Sequence, residues 1–257
     1  MNYELNITAS SRVGLVRSNN EDMILVGDLL LRNGKMSKHV ETDDSDRYII
    51  ALADGMGGHA GGEVASAETL ANLKYFFSDL PKGLSPGDFN ETMNEWLRSI
   101  NHILEAKGID NYAYRGMGTT LVALAYYEHR FFWFNCGDSR LYRLHDGKLE
   151  QLTTDHSYSN LIGSKEKNSP MITNCIGAGC KTSYFDLVEC TDKVVPGDVM
   201  MICSDGLSDL VEDKEIERLL VREFDANALC QAAEDEGGRD NVSVIVVKIE
   251  SAIGNKS

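Results

Sequence analysis

Proline is scarce in this chain: 257 residues hold only 4, and no glycine-, serine- or proline-rich stretch divides them. A flexible interdomain linker has no support, so a single domain over residues 1–257 is expected. Long apolar runs are also missing, and Met1 to Thr8 lacks the basic flank and apolar stretch of a secretory signal, which points to a cytoplasmic protein without a membrane anchor. None of the 6 cysteines forms a C-x-x-C pair, which argues against a thiolate zinc site or a redox dithiol and leaves buried free thiols as the simpler reading. Basic residues are outnumbered, 25 Lys and Arg against 40 Asp and Glu, for a formal net charge of −15. A surface this acidic repels the phosphates of nucleic acids and anionic lipids alike, so neither is an expected partner. There is no G-x-x-x-x-G-K-[ST] loop, and ATP hydrolysis loses its usual cradle.

What the chain does contain reads as strand-rich. β-branched, aromatic and alternating content predicts strands at Tyr3 to Ala9, Met23 to Leu31, Tyr48 to Ala53, Thr119 to Tyr127, Arg130 to Cys136, Arg140 to Leu144, Tyr184 to Glu189, Val199 to Cys203 and Val242 to Ile249. Helical periodicity marks Gly62 to Phe77 and Pro86 to Lys107, with shorter helices over Asp213 to Glu223 and Asp225 to Asp235. Helices thus come in pairs, and the tight turns at Glu128-His129 and Asp146-Gly147 imply antiparallel hairpins, so an α+β fold is favoured over a doubly wound sheet. The charged stretch Asn33 to Asp46 reads as a mobile surface loop, and a second irregular stretch runs from Asp155 to Gly179.

Acidic motifs stand at the ends of apolar strands: Asn20-Glu21-Asp22, Asp54-Gly55, Ser204-Asp205-Gly206 and Arg239-Asp240-Asn241. Such a position lets a side chain leave a packed sheet while its backbone stays held. Any one of them is ordinarily a turn, as Asp146-Gly147 illustrates, but carboxylates brought together repel and usually require a cation. Oxygen donors without Cys or His partners select Mg²⁺ or Mn²⁺ over zinc or copper.

The motifs Arg17-Ser-Asn-Asn-Glu-Asp22, Ala53-Asp-Gly-Met-Gly-Gly-His-Ala-Gly61, Gly116-Met-Gly-Thr-Thr120, Asn135-Cys-Gly-Asp-Ser-Arg140, Ser204-Asp-Gly-Leu207 and Gly238-Arg-Asp-Asn241 follow one another across nearly the whole chain. In that order they resemble the metal-dependent protein phosphatases (PPM), the type 2C Ser/Thr phosphatases, in their compact bacterial form. The resemblance implies a four-layer α-β-β-α sandwich with two central, mainly antiparallel sheets and metals at one end.

It also implies roles. Asp54 bridges two metals, Gly55 contributes its carbonyl, Asp22 supports one metal largely through waters, and Asp205 and Asp240 hold the other. Asp138 resembles the ligand of a weaker third metal, while Glu21 and Asp209 resemble the carboxylates that orient waters. Arg17 matches the arginine that grips the substrate phosphate, and His59 the general acid. The implied reaction is direct attack of a metal-bridging water or hydroxide on phosphoserine or phosphothreonine, with Mn²⁺ or Mg²⁺ as cofactor. The implied setting is a monomeric signalling enzyme that opposes a Ser/Thr kinase. Residues 155–179 match the family's flap, here shortened and with Ile172-Thr-Asn-Cys-Ile-Gly177 lacking the usual arginine after the threonine. A reduced flap is expected to alter selectivity among protein substrates more than metal chemistry.

Two rivals are weaker. Gly55-Met-Gly57-Gly-His-Ala60 resembles a dinucleotide fingerprint, but Asp54 would set negative charge beside the pyrophosphate. A catalytically silent binding module has no chemical need to keep Asp22, Asp54, Asp205 and Asp240 together.

Overall fold

The structure, a computed structural model, describes residues 2–42, 47–57, 61–163 and 171–252. In chain order the strands are β1 (Tyr3–Arg12), β2 (Met23–Val26), β3 (Leu29–Leu31), β4 (Gly34–Glu41), β5 (Arg47–Ala53), β6 (Gly55–Met56), β7 (Gly118–Thr119), β8 (Leu121–Tyr127), β9 (Arg130–Cys136), β10 (Arg140–His145), β11 (Lys148–Gln151), β12 (Ile176–Gly177), β13 (Asp186–Glu189), β14 (Val199–Cys203) and β15 (Val242–Ser251). The α-helices are α1 (Gly61–Ser78), α2 (Pro86–Asp110), α3 (Tyr158–Leu161), α4 (Asp205–Ser208), α5 (Asp213–Arg222) and α6 (Ala226–Asp235). Two six-stranded antiparallel sheets, β11-β10-β14-β15-β1-β4 and β13-β9-β8-β5-β2-β3, form the centre, with a small third sheet, β12-β7-β6.

The middle strands read as unbroken apolar runs because both their faces are covered. On β5, Ile50 and Leu52 face the opposite sheet with Ile7, Val122, Ile202 and Ile245. Ile49, Ala51 and Ala53 face α1 and α2 through Leu70, Leu73, Phe89 and Leu97. On the far side Val244 and Val246 of β15 meet Leu219, Leu220, Leu229 and Ala233 of α5 and α6. The order of layers is therefore α-β-β-α, as the resemblance implies. Each fully buried large apolar side chain contributes roughly 1.5–3 kcal/mol against exposure. α2 starts at Ser85, whose hydroxyl accepts from the Asp88 N–H while the Asp88 carboxylate accepts from the Ser85 N–H, with Pro86 next to the cap. The turns at Glu128-His129 and Asp146-Gly147 carry positive φ at both central residues, as a two-residue hairpin requires.

Two expectations are corrected. Asn33 to Asp46 is not a loop through its described part: Gly34–Glu41 forms β4, the edge strand beside β1. Met36 and Val40 pack toward the core while Lys35, Ser37, His39 and Glu41 face out. Charge on an edge strand discourages pairing with other chains, and here it disguised the alternation. The predicted strand Met23 to Leu31 is a hairpin, β2 and β3 turning at Gly27-Asp28, with Gly27 at φ +61°. All 6 cysteines are free thiols, five of them buried.

Candidate active site

Strand register brings the acidic motifs to one end of both sheets. Met23 lies opposite Ala53, so Asp22, just before β2, and Asp54, just after β5, emerge side by side. In the other sheet Arg140 lies opposite Cys203, and Cys203 opposite Val244. Asp138, Asp205 and Asp240 therefore leave at one common edge. The two groups meet through Ser204, whose hydroxyl donates to Asp22 Oδ2 at 2.9 Å and accepts from the Ser243 N–H at 3.1 Å.

The supporting backbone is closely fitted. A Cβ on Gly55 would stand 2.2 Å from the Gly62 carbonyl oxygen and 2.6 Å from that of Glu21, so only glycine lets the turn after Asp54 nest between them. A Cβ on Gly206 would lie 1.9 Å from the Asn241 carbonyl oxygen, which ties the turn after Asp205 to the one after Asp240. Thr120 Oγ1 accepts from the Asp54 N–H at 3.0 Å, and the Asp54 carbonyl accepts from the Thr120 N–H and from Thr119 Oγ1. Thr120 Oγ1 is also 2.7 Å from Ser139 Oγ, which joins the Asp54 turn to the Asp138 turn.

Electrostatically the cluster is under strain. Burial, with the charges of Asp205 and Asp240, pushes the Asp22 carboxyl up to about 7 against the opposing hydrogen bonds of Ser243 and Ser204. Burial and the charge of Asp205 push Asp138 up to about 7, and burial and Asp240 push Asp205 up to about 6. Asp54 lies well above the usual carboxylate range through burial and the charges of Asp22, Asp205 and Asp138. Burial also raises Glu21 and Asp209. Arg17, at the mouth, donates to Asp240 Oδ2 at 2.6 Å with its side chain half exposed. A cleft of about 210 Å³ opens here, lined by Asp205, Asp209, Arg239 and Asp240.

Oδ1 of Asp22 and Oδ1 of Asp138 are buried without a hydrogen-bond partner. An uncompensated buried carboxylate costs several kcal/mol, and a hard cation is the ligand that would satisfy both oxygens. Among the described residues no three His, Cys, Asp or Glu side chains already close round one point. Mg²⁺ typically takes one or two carboxylates and keeps several waters, so an open, all-oxygen set fits it, whereas structural zinc needs a complete cage. The donors present thus fit Mg²⁺ or Mn²⁺.

The sequence model of the family described as "Protein phosphatase 2C" matches residues 37–243. The chain belongs to the protein phosphatase 2C family. It is 34% identical over 254 residues to the serine/threonine protein phosphatase PstP of Mycobacterium tuberculosis, covering 95% of this chain and 45% of that protein. It spans less than half the length of that relative. The serine/threonine phosphatase stp of Listeria monocytogenes is 29% identical over 252 residues, covering 91% of this chain and 92% of that one. The solved catalytic domain of PstP in complex with 2 manganese ions superposes with a TM-score of 0.74 at 31% identity, over 97% of this chain and 100% of the other.

For a member of the protein phosphatase 2C family, the structure brings together most of the residues singled out from sequence. Asp22, Asp54, Gly55, Asp138, Asp205 and Asp240 gather at one edge, Glu21 flanks the Gly55–Gly62 contact, and Asp209 lines the cleft. Arg17 faces the cluster, paired with Asp240. His59 lies outside the described residues.

Sequence reasoning missed the scaffold. Thr119 and Thr120 hold the Asp54 backbone by hydrogen bonds. Asn241 donates to the carbonyls of Val13 and Asn19 and accepts from the Glu21 N–H, fixing the loop that carries Arg17 and Asp22. His156 is buried: its Nδ1 accepts from the Gly137 N–H at 3.0 Å, its backbone N–H donates to the Gly137 carbonyl, and its Nε2 lies 3.0 Å from Asp186. It fixes the turn that carries Asp138. Its signal was adjacency to Asp155, which Arg140 grips with a fork of hydrogen bonds at 2.6–3.1 Å.

Proposed function

We propose that this chain is a metal-dependent protein serine/threonine phosphatase that hydrolyses phosphoserine and phosphothreonine without a covalent phosphoenzyme. The observation that carries the reading is the meeting of Asp22, Asp54, Asp138 and Asp205 at one sheet edge, with partnerless buried oxygens on Asp22 and Asp138. Asp54, the Gly55 carbonyl, Asp22, Asp205 and Asp240 would hold two Mn²⁺ or Mg²⁺ ions, with Asp138 and Asp205 serving a weaker third. Bound there, such ions supply Lewis acidity that lowers the pKa of water from about 15.7 toward 7.

The chain's own groups do the remaining work. Thr119 and Thr120 fix Asp54, so the carboxylate geometry is set before substrate arrives. Arg17 leaves Asp240 for the phosphoryl oxygens, and its planar fork spreads the charge that builds on them during in-line attack by water. As the ester P–O bond breaks, His59 donates a proton to the departing serine or threonine oxygen. Glu21 and Asp209, both beside the cluster, orient waters.

The acidic composition and the absence, among the described residues, of a helix long and apolar enough to cross a membrane are consistent with action in the cytoplasm on proteins phosphorylated by a Ser/Thr kinase. Continuity of the packed layers supports one catalytic domain. The test is hydrolysis of p-nitrophenyl phosphate and of a phosphothreonine peptide with Mn²⁺, with Mg²⁺ and with chelator. Turnover of both substrates that stops on chelation is expected; folded protein without metal-dependent turnover refutes the reading.

A further inference from the structure

A groove of about 590 Å³, larger than the carboxylate cleft, runs between the C-terminal end of α2, the 3₁₀ turn Tyr112–Tyr114 and the ends of β7 and β12. Its rim is unusual for an acidic protein. Ile109 and Tyr112 are each 83% exposed; among the lining residues Arg115, exposed and with its guanidinium 6.0 Å from the Tyr112 ring centroid, carries the positive charge and Glu105, on α2, the negative one. Paired apolar and aromatic side chains beside an arginine are the composition of a recognition surface rather than of a solvated face.

The groove is closely packed and adjoins the catalytic end. A Cβ on Gly108 would stand 3.1 Å from the Tyr114 carbonyl oxygen, so α2 and the turn touch closely. The turn is closed by the Arg115 N–H donating to the Tyr112 carbonyl at 3.2 Å and the Met117 N–H to the Tyr114 carbonyl at 3.1 Å. Gly116 and Met117 form one wall, and the same residues back Gly57, three positions after Asp54: a Cβ on Gly57 would lie 3.1 Å from Met117 Cα. The next strand, β7, carries Thr119, whose hydroxyl donates to the Asp54 carbonyl. The opposite wall, Ala178 and Gly179, ends the segment read as the flap, and the Ala178 N–H donates to the Met117 carbonyl at 2.7 Å.

We infer that this groove docks the segment of the phosphoprotein that flanks the phosphorylated residue, with an apolar side chain against Ile109 and Tyr112 and an acidic one at Arg115. The occupant follows from continuity with the catalytic end and from charge: in a chain of net charge −15, Arg115 gives an acidic flank a point of attraction beside the apolar pair Ile109 and Tyr112. The inference rests on the phosphatase reading and adds to it the substrate features outside the phosphate. p-Nitrophenyl phosphate carries no flanking residues, so it reports on the reaction alone.

The experiment compares wild type, the double variant Ile109→Ser with Tyr112→Ser, and Arg115→Glu, all with Mn²⁺, on three substrates. These are p-nitrophenyl phosphate, a phosphothreonine peptide flanked on both sides by Leu and Glu, and one flanked by Gly and Ser. Wild type is expected to prefer the Leu/Glu peptide by about tenfold in kcat/KM, the gain of a well-packed anchor. Both variants are expected to lose most of that preference while hydrolysing p-nitrophenyl phosphate within about twofold of wild type. A wild type without preference, variants that keep it, or variants that lose both activities in parallel would each overturn the docking site. If wild type hydrolyses none of the three substrates, the phosphatase reading falls and the docking site falls with it.

Discussion

Asp22→Asn should stabilise the protein in chelator and weaken its response to metal. Asp22 is fully exposed to its neighbours' fields and fully shielded from water, and its carboxyl titrates near 7 in the folded chain against an ordinary 3.8. A group with a raised folded-state pKa favours folding at low pH and loses that contribution as pH rises, here between about 4 and 7. The shift corresponds to at most about 4 kcal/mol of ionisation cost above pH 7. Asparagine keeps an oxygen for the Ser204 hydroxyl and removes the charge. In chelator the variant should match wild type near pH 4.5 and exceed it at pH 8 by about 2 kcal/mol, or roughly 4–8 °C in melting temperature. With Mn²⁺ at about 100 times its dissociation constant, wild type gains about 2.7 kcal/mol, and the variant should gain less. Thermal melts over pH 4.5–8 with chelator and with Mn²⁺ decide it. A variant that is less stable than wild type in chelator at pH 8, or that responds equally to Mn²⁺, would refute the electrostatic account.

Asp54→Asn should lower kcat on p-nitrophenyl phosphate by about 10²-fold or more while circular dichroism stays unchanged; near-normal turnover removes Asp54 from the site. Thr120→Val strips the Asp54 N–H and Ser139 of a partner, so a stability loss of about 1–3 kcal/mol by urea titration and a fall in kcat should appear together. Gly206→Ala places a methyl 1.9 Å from the Asn241 carbonyl oxygen and should sharply reduce soluble yield; a well-folded variant would mean that this turn is free to move. His156→Asn can still accept from the Gly137 N–H, so it should keep more activity than His156→Leu; equal losses would show that the Nδ1 contact does not hold the Asp138 turn.

The parts of this molecule that were legible in sequence are those where one segment decides its own conformation. The strand at Arg130–Cys136 and the hairpin at Glu128-His129 declare themselves by local pattern and by a turn that needs positive φ. The acidic motifs were legible for a related reason: a carboxylate after a fully apolar strand such as Val199–Cys203 has few roles to play. β4 was not, because Lys35, Lys38, His39 and Glu41 surround two apolar residues, and only the partner β1 makes that alternation a strand. The Thr120–Asp54, Ser204–Asp22 and Asn241–Glu21 hydrogen bonds were hidden for the same cause. Their partners lie far apart in the chain, and a hydroxyl or amide inside a motif says nothing of which backbone group will face it. The pairing of Arg17 with Asp240 also joins residues from opposite ends of the chain.

The central claim is that carboxylates from both sheets surround a pair of divalent cations. Anomalous-difference density from crystals soaked in Mn²⁺ tests it most directly. The account predicts two strong peaks among Asp22, Asp54, Asp205 and Asp240; density elsewhere on the molecule, or none at that edge, would contradict it.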